Sequence, residues 1–193
     1  MKTRTDTILS FLKEIEKYKT VKREMFCSEQ ERKESDAEHS WHLAMFILLF
    51  KKDLPKDLNM EKMLKLALMH DLVEIYAGDT YAFDKEGRKT KKEREEKAAE
   101  KLFSQLPEDL CREFRQLFEE YENTETHEAK IVKSFDKVQP ILQNLCSGGK
   151  SWKIHNNTYT EIDNYKRKHV EHNKLILDIY ETLMDEAKKK NLI

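Results

Sequence analysis

The stretch Met63-Leu64-Lys65-Leu66-Ala67-Leu68-Met69 carries its apolar residues at helical spacing and runs directly into two ionisable residues, His70 and Asp71. A fold can bury such a segment only if it also compensates the imidazole and the carboxylate at its end, because desolvating an unpaired charge is costly. The same juxtaposition recurs twice. His39 opens the apolar run that continues from Leu43 to Phe50, and Asp136 follows Ile131, Val132 and Phe135 at core spacing. Three apolar helices that each deliver a polar group inward are explained together by one metal ion. A divalent cation compensates carboxylates and takes neutral imidazoles as ligands.

Few breakers interrupt the chain: 4 Gly and 3 Pro among 193 residues. That scarcity favours long helices. The spacing predicts helices over residues 5–18, 36–50, 60–76, 90–104, 107–121, 125–146 and 161–189, with residues 19–35 and 79–89 irregular and no strand-like alternation. Ser35 and Asp36 are good N-caps, and Gly78 suits a helix stop. Pro140 lacks the N–H that would bond the carbonyl of Asp136, so a bend is expected there. The expected fold class is all-α, a single-domain helical bundle over residues 1–193. Its metal-binding core lies at about 30–140 and a C-terminal helical extension at 150–193.

Charge is abundant but balanced, with 36 Lys and Arg against 37 Asp and Glu, so nothing draws the chain generally to nucleic acid or an anionic membrane. The apolar run over residues 43–50 is too short to span a bilayer. The first residues enter an amphipathic pattern rather than a signal-peptide core. Cys27, Cys111 and Cys146 form no CxxC pair, and free thiols suit a reducing compartment. The expectation is a cytoplasmic protein with no nucleic-acid or membrane partner. Gly149-Lys150-Ser151 is no phosphate loop, since the spacing requires glycine where Asn144 stands.

Glu74 lies four residues after His70 and three after Asp71, on a shared helical face, where it can orient a water or take its proton. Asp79 follows Gly78, where a loop can turn back over the site. His42 is expected to support the site rather than bind the metal, and His155, His169 and His172 to face solvent.

The ordered set Arg32, Glu38-His39-Ser40, residues 66–74, Gly78-Asp79, Glu128-Ala129 and Asp136-Lys137 resembles the HD-domain superfamily of metal-dependent phosphohydrolases, and within it the 5′-deoxynucleotidase branch. The resemblance implies one divalent cation (Mn, Co, Ni, Fe, Zn or Mg) held by His39, His70, Asp71 and Asp136. It implies Glu74 and Asp79 as catalytic acids and Arg32 as the contact to the substrate phosphate. The implied reaction is hydrolysis of a (deoxy)nucleoside 5′-monophosphate to nucleoside and phosphate by a metal-activated water. The branch often forms homodimers, and the stripe Val170, Leu175, Ile176, Ile179, Tyr180 and Leu183 suits either a partner or the chain's own core. One departure stands out. The branch carries an Arg-Trp pair fifteen and fourteen residues before the first His ligand, where this chain has Glu24 and Met25, with Arg23 out of register. Rival readings are a hydrolase of an alarmone, a cyclic nucleotide or a deoxynucleoside triphosphate, and a non-catalytic, metal-stabilised nucleotide sensor.

Overall fold

The computed structural model describes residues 2–28 and 31–193, so Met1 and two residues of the stretch expected to be irregular, 29 and 30, lie outside the described residues. Helix α1 (Arg4–Ile15) passes into a 3-10 turn (Glu16–Thr20) and an antiparallel hairpin, β1 (Lys22–Phe26) with β2 (Lys33–Ser35). Then follow α2 (Asp36–Leu49), α3 (Met60–Met69), α4 (Glu74–Ala77), α5 (Gly87–Phe103), α6 (Glu108–Asn123), α7 (His127–Cys146), α8 (Lys150–Ile154), α9 (Tyr159–Val170) and α10 (Lys174–Lys189).

The all-α expectation holds, with the small hairpin as an addition. Strands of five and three residues are too short to display alternation, and the register of the pair shifts between Lys22 and Phe26. Two long helices are also interrupted. Residues 70–73 form a turn that separates α3 from α4, and residues 171–173 divide α9 from α10, where the Asn173 side chain caps α10 by accepting from the Ile176 N–H. Helix α7 stays helical across Pro140.

At the start of α2 the Ser35 hydroxyl accepts from the Glu38 N–H, and the Glu38 carboxylate accepts from the Ser35 N–H at 2.9 Å. This reciprocal cap fixes the entry of the chain and turns Asp36 inward, where it is fully buried. Helix α2 packs on α3 and α7, and α9 and α10 pack on the other side of α7. One apolar cluster runs from Phe11 to Ala187, with Leu43, Ile47, Leu66, Ile131 and Phe135 at its centre. Val170, Ile176 and Tyr180 of the C-terminal stripe are completely buried in this same core. That part of the stripe serves the chain's own fold. Among the described residues no helix is long and apolar enough to cross a membrane.

Candidate metal centre

The three central helices bring their ionisable residues to one point. His39 lies in the first turns of α2, His70 caps α3 with Asp71 in the turn beyond it, and Asp136 sits midway along α7. His39 Nε2 is 3.1 Å from Asp136 Oδ1, and His70 Nε2 is 3.0 Å from Asp71 Oδ2. Both cross distances, His39 Nε2 to Asp71 Oδ2 and His70 Nε2 to Asp136 Oδ1, are 4.0 Å. The interruption after Met69 matters here. Consecutive residues on an unbroken helix point about 100° apart, whereas the turn lets His70 and Asp71 face the same centre.

The imidazoles are oriented from behind. His70 Nδ1 lies 3.0 Å from the Ala67 carbonyl, which can only accept, so Nδ1 carries a proton and Nε2 is the nitrogen that faces the cluster. His39 Nδ1 is 3.0 Å from Gln139 Oε1, while the Gln139 amide nitrogen is 3.1 Å from both Glu34 Oε1 and His42 Nδ1. His42 therefore supports the site through Gln139. Both Nε2 atoms point at carboxylate oxygens, which draws positive charge to the space between them. His70 Nε2 has no hydrogen-bond partner among the described residues despite its nearness to Asp71. Burial pushes His39 down to about 4, so a proton does not fill the gap there at neutral pH. Burial also lowers His70, but Asp71 and Asp136 outweigh it and raise its pKa, a sign of the negative field at this point. Two imidazole nitrogens and two carboxylate oxygens in a negative, water-poor site fit a divalent cation.

Asp136 divides its two oxygens, whereas Asp71, among the described residues, uses Oδ2 alone. Asp136 Oδ2 accepts from Tyr121 Oη at 2.9 Å and Lys137 Nζ at 2.7 Å, which leaves Oδ1 turned to the centre. Asp71 Oδ2 accepts from Arg23 Nη1 at 2.8 Å. Glu74 is 2% exposed, its Oε1 lies 3.4 Å from Lys91 Nζ, and its Oε2 has no hydrogen-bond partner among the described residues. Burial first, then Asp71, Asp36 and Asp79, hold the Glu74 carboxyl well above the usual carboxylate range. Burial likewise raises Asp79, which stands 3.9 Å from Arg23 Nη1. A cavity opens in front of the cluster. Arg23, Asp71, Glu74, Asp79, Lys91 and Asp136 give it polar walls, and Tyr81, Phe83, Trp152 and Tyr165 an aromatic side.

The structure thus brings His39, His70, Asp71, Asp136, Glu74 and Asp79 together and leaves Arg32 apart. Arg32 is exposed, forked onto Glu38 at 2.9 and 2.6 Å, and does not line this cavity. Arg23, set aside as out of register, lines it beside the cluster, together with Arg88. Arg23 sits on β1, whose pairing with β2 is irregular in register. Gln139 and Asp36 were also missed. Gln139 is three residues beyond Asp136 on one helical face, a spacing that could have flagged it. His155 does not simply face solvent: its ring stacks on Tyr81 with centroids 4.2 Å apart, and Nε2 lies 3.1 Å from Glu24. His169 is half-buried, and His172, though exposed, has Nε2 2.7 Å from the Ser134 hydroxyl.

Gln139→Leu tests the support of His39. The substitution keeps the volume roughly but leaves His39 Nδ1, Glu34 and His42 without their shared partner. Loss of such an outer contact is expected to weaken metal binding on the order of 10–100-fold, read by titration of the metal-free protein. An unchanged affinity would show that Gln139 does not orient the ring.

Known proteins share this framework. The human 5′-deoxynucleotidase HDDC2 is 36% identical over 138 residues, 71% of this chain and 66% of that protein. Its Bos taurus counterpart is 37% identical over 137 residues, 70% and 65% of the two lengths. The chain thus spans just under two thirds of these relatives. A solved structure described as a predicted metal-dependent phosphohydrolase from Magnetospirillum magnetotacticum MS-1 superposes with a TM-score of 0.92 at 36% identity, over 98% of this chain and 95% of that one. Residues 15–181 match the HD domain family, which takes in α2, α3 and α7 with every residue of the cluster, and the chain belongs to that family.

Proposed function

We propose that this protein is a metal-dependent phosphohydrolase that converts (deoxy)nucleoside 5′-monophosphates to nucleoside and phosphate, with one divalent cation held by His39, His70, Asp71 and Asp136. The observation that carries the reading is the His/Asp cluster at the head of a cavity into which Glu74, Asp79 and Arg23 also converge. The names of the 5′-deoxynucleotidase relatives support the choice of substrate. The aromatic side of the cavity offers stacking surface for a base.

When bound, the cation supplies Lewis-acid polarisation of a phosphate oxygen and lowers the pKa of nearby water. The chain's own groups do the rest. Glu74 offers its uncommitted Oε2 as acceptor for the proton of the attacking water. Asp79 lines the same cavity, where its carboxyl can orient the attacking water or pass a proton to the leaving sugar oxygen. Arg23 presents a guanidinium to the non-bridging phosphate oxygens. This last assignment replaces Arg32, which does not line the cavity.

The direct experiment is a phosphate-release assay after chelation, with divalent cations added back singly, across deoxynucleoside monophosphates, triphosphates and cyclic nucleotides. Phosphate from the monophosphates, abolished by chelation and restored by a cation, is the expected result. Nucleotide binding without release under any cation would make the protein a sensor rather than an enzyme. A paired substitution separates the two arginines. Arg23→Gln is expected to raise KM for the monophosphate on the order of 10–100-fold, the effect of losing charge-assisted hydrogen bonds worth about 1.5–3 kcal/mol. Arg32→Gln should leave KM within about threefold. The opposite ranking in steady-state kinetics would return the phosphate contact to Arg32.

A further inference from the structure

The metal cluster also meets a second cavity. It shares Asp71, Asp136, Arg88, Lys91, Lys137 and Tyr165 with the first, but its other walls differ. They come from α5, α6, α7 and α9 and include Lys92, Lys133 and Lys168. None of Arg23, Tyr81, Phe83 or Trp152 belongs to it.

Its carboxylates are already engaged. Asp136 takes Lys137 at 2.7 Å, Glu122 takes Lys133 at 3.4 Å, and Glu95 is bonded to Lys91. Arg88, Lys92 and Lys168, which line the same cavity, have no carboxylate at ion-pair distance among the described residues. Arg88 and Lys168 gather with Lys137 on one ring, that of Tyr165, at 5.3, 5.9 and 6.0 Å from its centroid. Arg88 Nη1 also donates to the Tyr165 hydroxyl at 3.2 Å. Burial works to raise the Tyr165 phenol, but Lys137 and Arg88 bring it below its ordinary value. Cations massed beside a cavity without their own counter-charge repel one another, and an anion relieves that repulsion.

We propose that this second cavity is a phosphoryl subsite, in which Arg88, Lys92, Lys168 and the Tyr165 hydroxyl hold a phosphate group at a position distinct from that of the scissile phosphate and contiguous with the metal cluster. The inference rests on the phosphohydrolase reading. The ligand is one chemistry with two sources: free orthophosphate, leaving by a different mouth from the nucleoside, or the terminal phosphoryl of a nucleoside diphosphate.

The test uses the metal-loaded, full chain and the double variant Lys92→Glu/Lys168→Glu, both positions being exposed. Orthophosphate is titrated by calorimetry, which reads the subsite whether or not the protein turns over any nucleotide. The expected result is at least a tenfold weaker orthophosphate Kd, with the monophosphate KM moving by less than threefold. Lys174→Glu, at a lysine paired with Asp178, serves as a control that should change neither. A deoxynucleoside diphosphate then separates the sources. If it inhibits the parent protein more tightly than the monophosphate and the double variant erases the difference, the subsite takes a second phosphoryl group. If the two nucleotides behave alike while orthophosphate weakens, the subsite serves the product. An unchanged orthophosphate Kd overturns the proposal, and so does an equal loss for orthophosphate and monophosphate, which would report only a general field.

Discussion

Asp71→Ala should lower phosphate release from a deoxynucleoside monophosphate by a factor on the order of 10³, equivalent to about 4 kcal/mol of transition-state stabilisation. Asp71 stands between both histidines and Arg23, so its loss removes a metal ligand and the anchor of the guanidinium together. The metal loss has a readout that needs no substrate. A cation that binds the folded state alone stabilises it by about 2.7 kcal/mol when present at 100 times its Kd. The parent protein should therefore melt higher with metal than after chelation, and Asp71→Ala should show little of that difference. Retained turnover, or an undiminished melting shift, would remove Asp71 from the ligand set. His39→Ala is a weaker test, because an imidazole with 0% exposure also fills core volume and its removal mixes a cavity with a lost ligand.

How far the sequence foretold this site depends on the kind of signal. The apolar runs leading to His70 and surrounding His39 and Asp136 were legible because burial and helical period act locally. They located the helices that carry the cluster. What escaped was set by tertiary geometry. Residues 70–73 contain no glycine or proline, so periodicity ran on through the turn that aims His70 and Asp71 together. Residues 171–173 hide a break in the same way, with Asn173 as the one cap signal. The hairpin carries Arg23, yet its strands are short and its register irregular. Asp36 and Ser35 are both good N-caps because the two are chemically interchangeable there. Only the Ser35–Glu38 reciprocal bonding decides which of them turns inward. Lys91 stands in a run of lysines and glutamates where nothing in the sequence marks it for the site. It is half-buried, bonded to Glu95 and near Glu74.

Glu74→Gln separates chemistry from binding. The amide keeps the shape and the burial but cannot accept a proton from water. The expected loss in kcat is on the order of 10²–10⁴, with KM and metal content little changed, because Glu74 is not among the four ligands proposed above. The rising limb of the pH profile should vanish with it. A base must be ionised to act, so in the parent protein the rate climbs as pH rises through the Glu74 pKa. Burial and the carboxylates of Asp71, Asp36 and Asp79 set that pKa high, with Lys91 opposing them. The same shift has a consequence for stability. A carboxyl whose pKa is raised on folding binds more protons folded than unfolded over the interval between its two values. Its contribution therefore falls as pH increases through that interval. Metal-free Glu74→Gln should consequently be more stable than the parent at neutral and alkaline pH and differ little below the ordinary carboxylate range, as denaturant titrations at several pH values would show. A variant that is inactive, retains metal and is more stable marks a residue kept for its chemistry at a cost to the fold. A variant that is inactive and less stable marks Glu74 as a structural support instead.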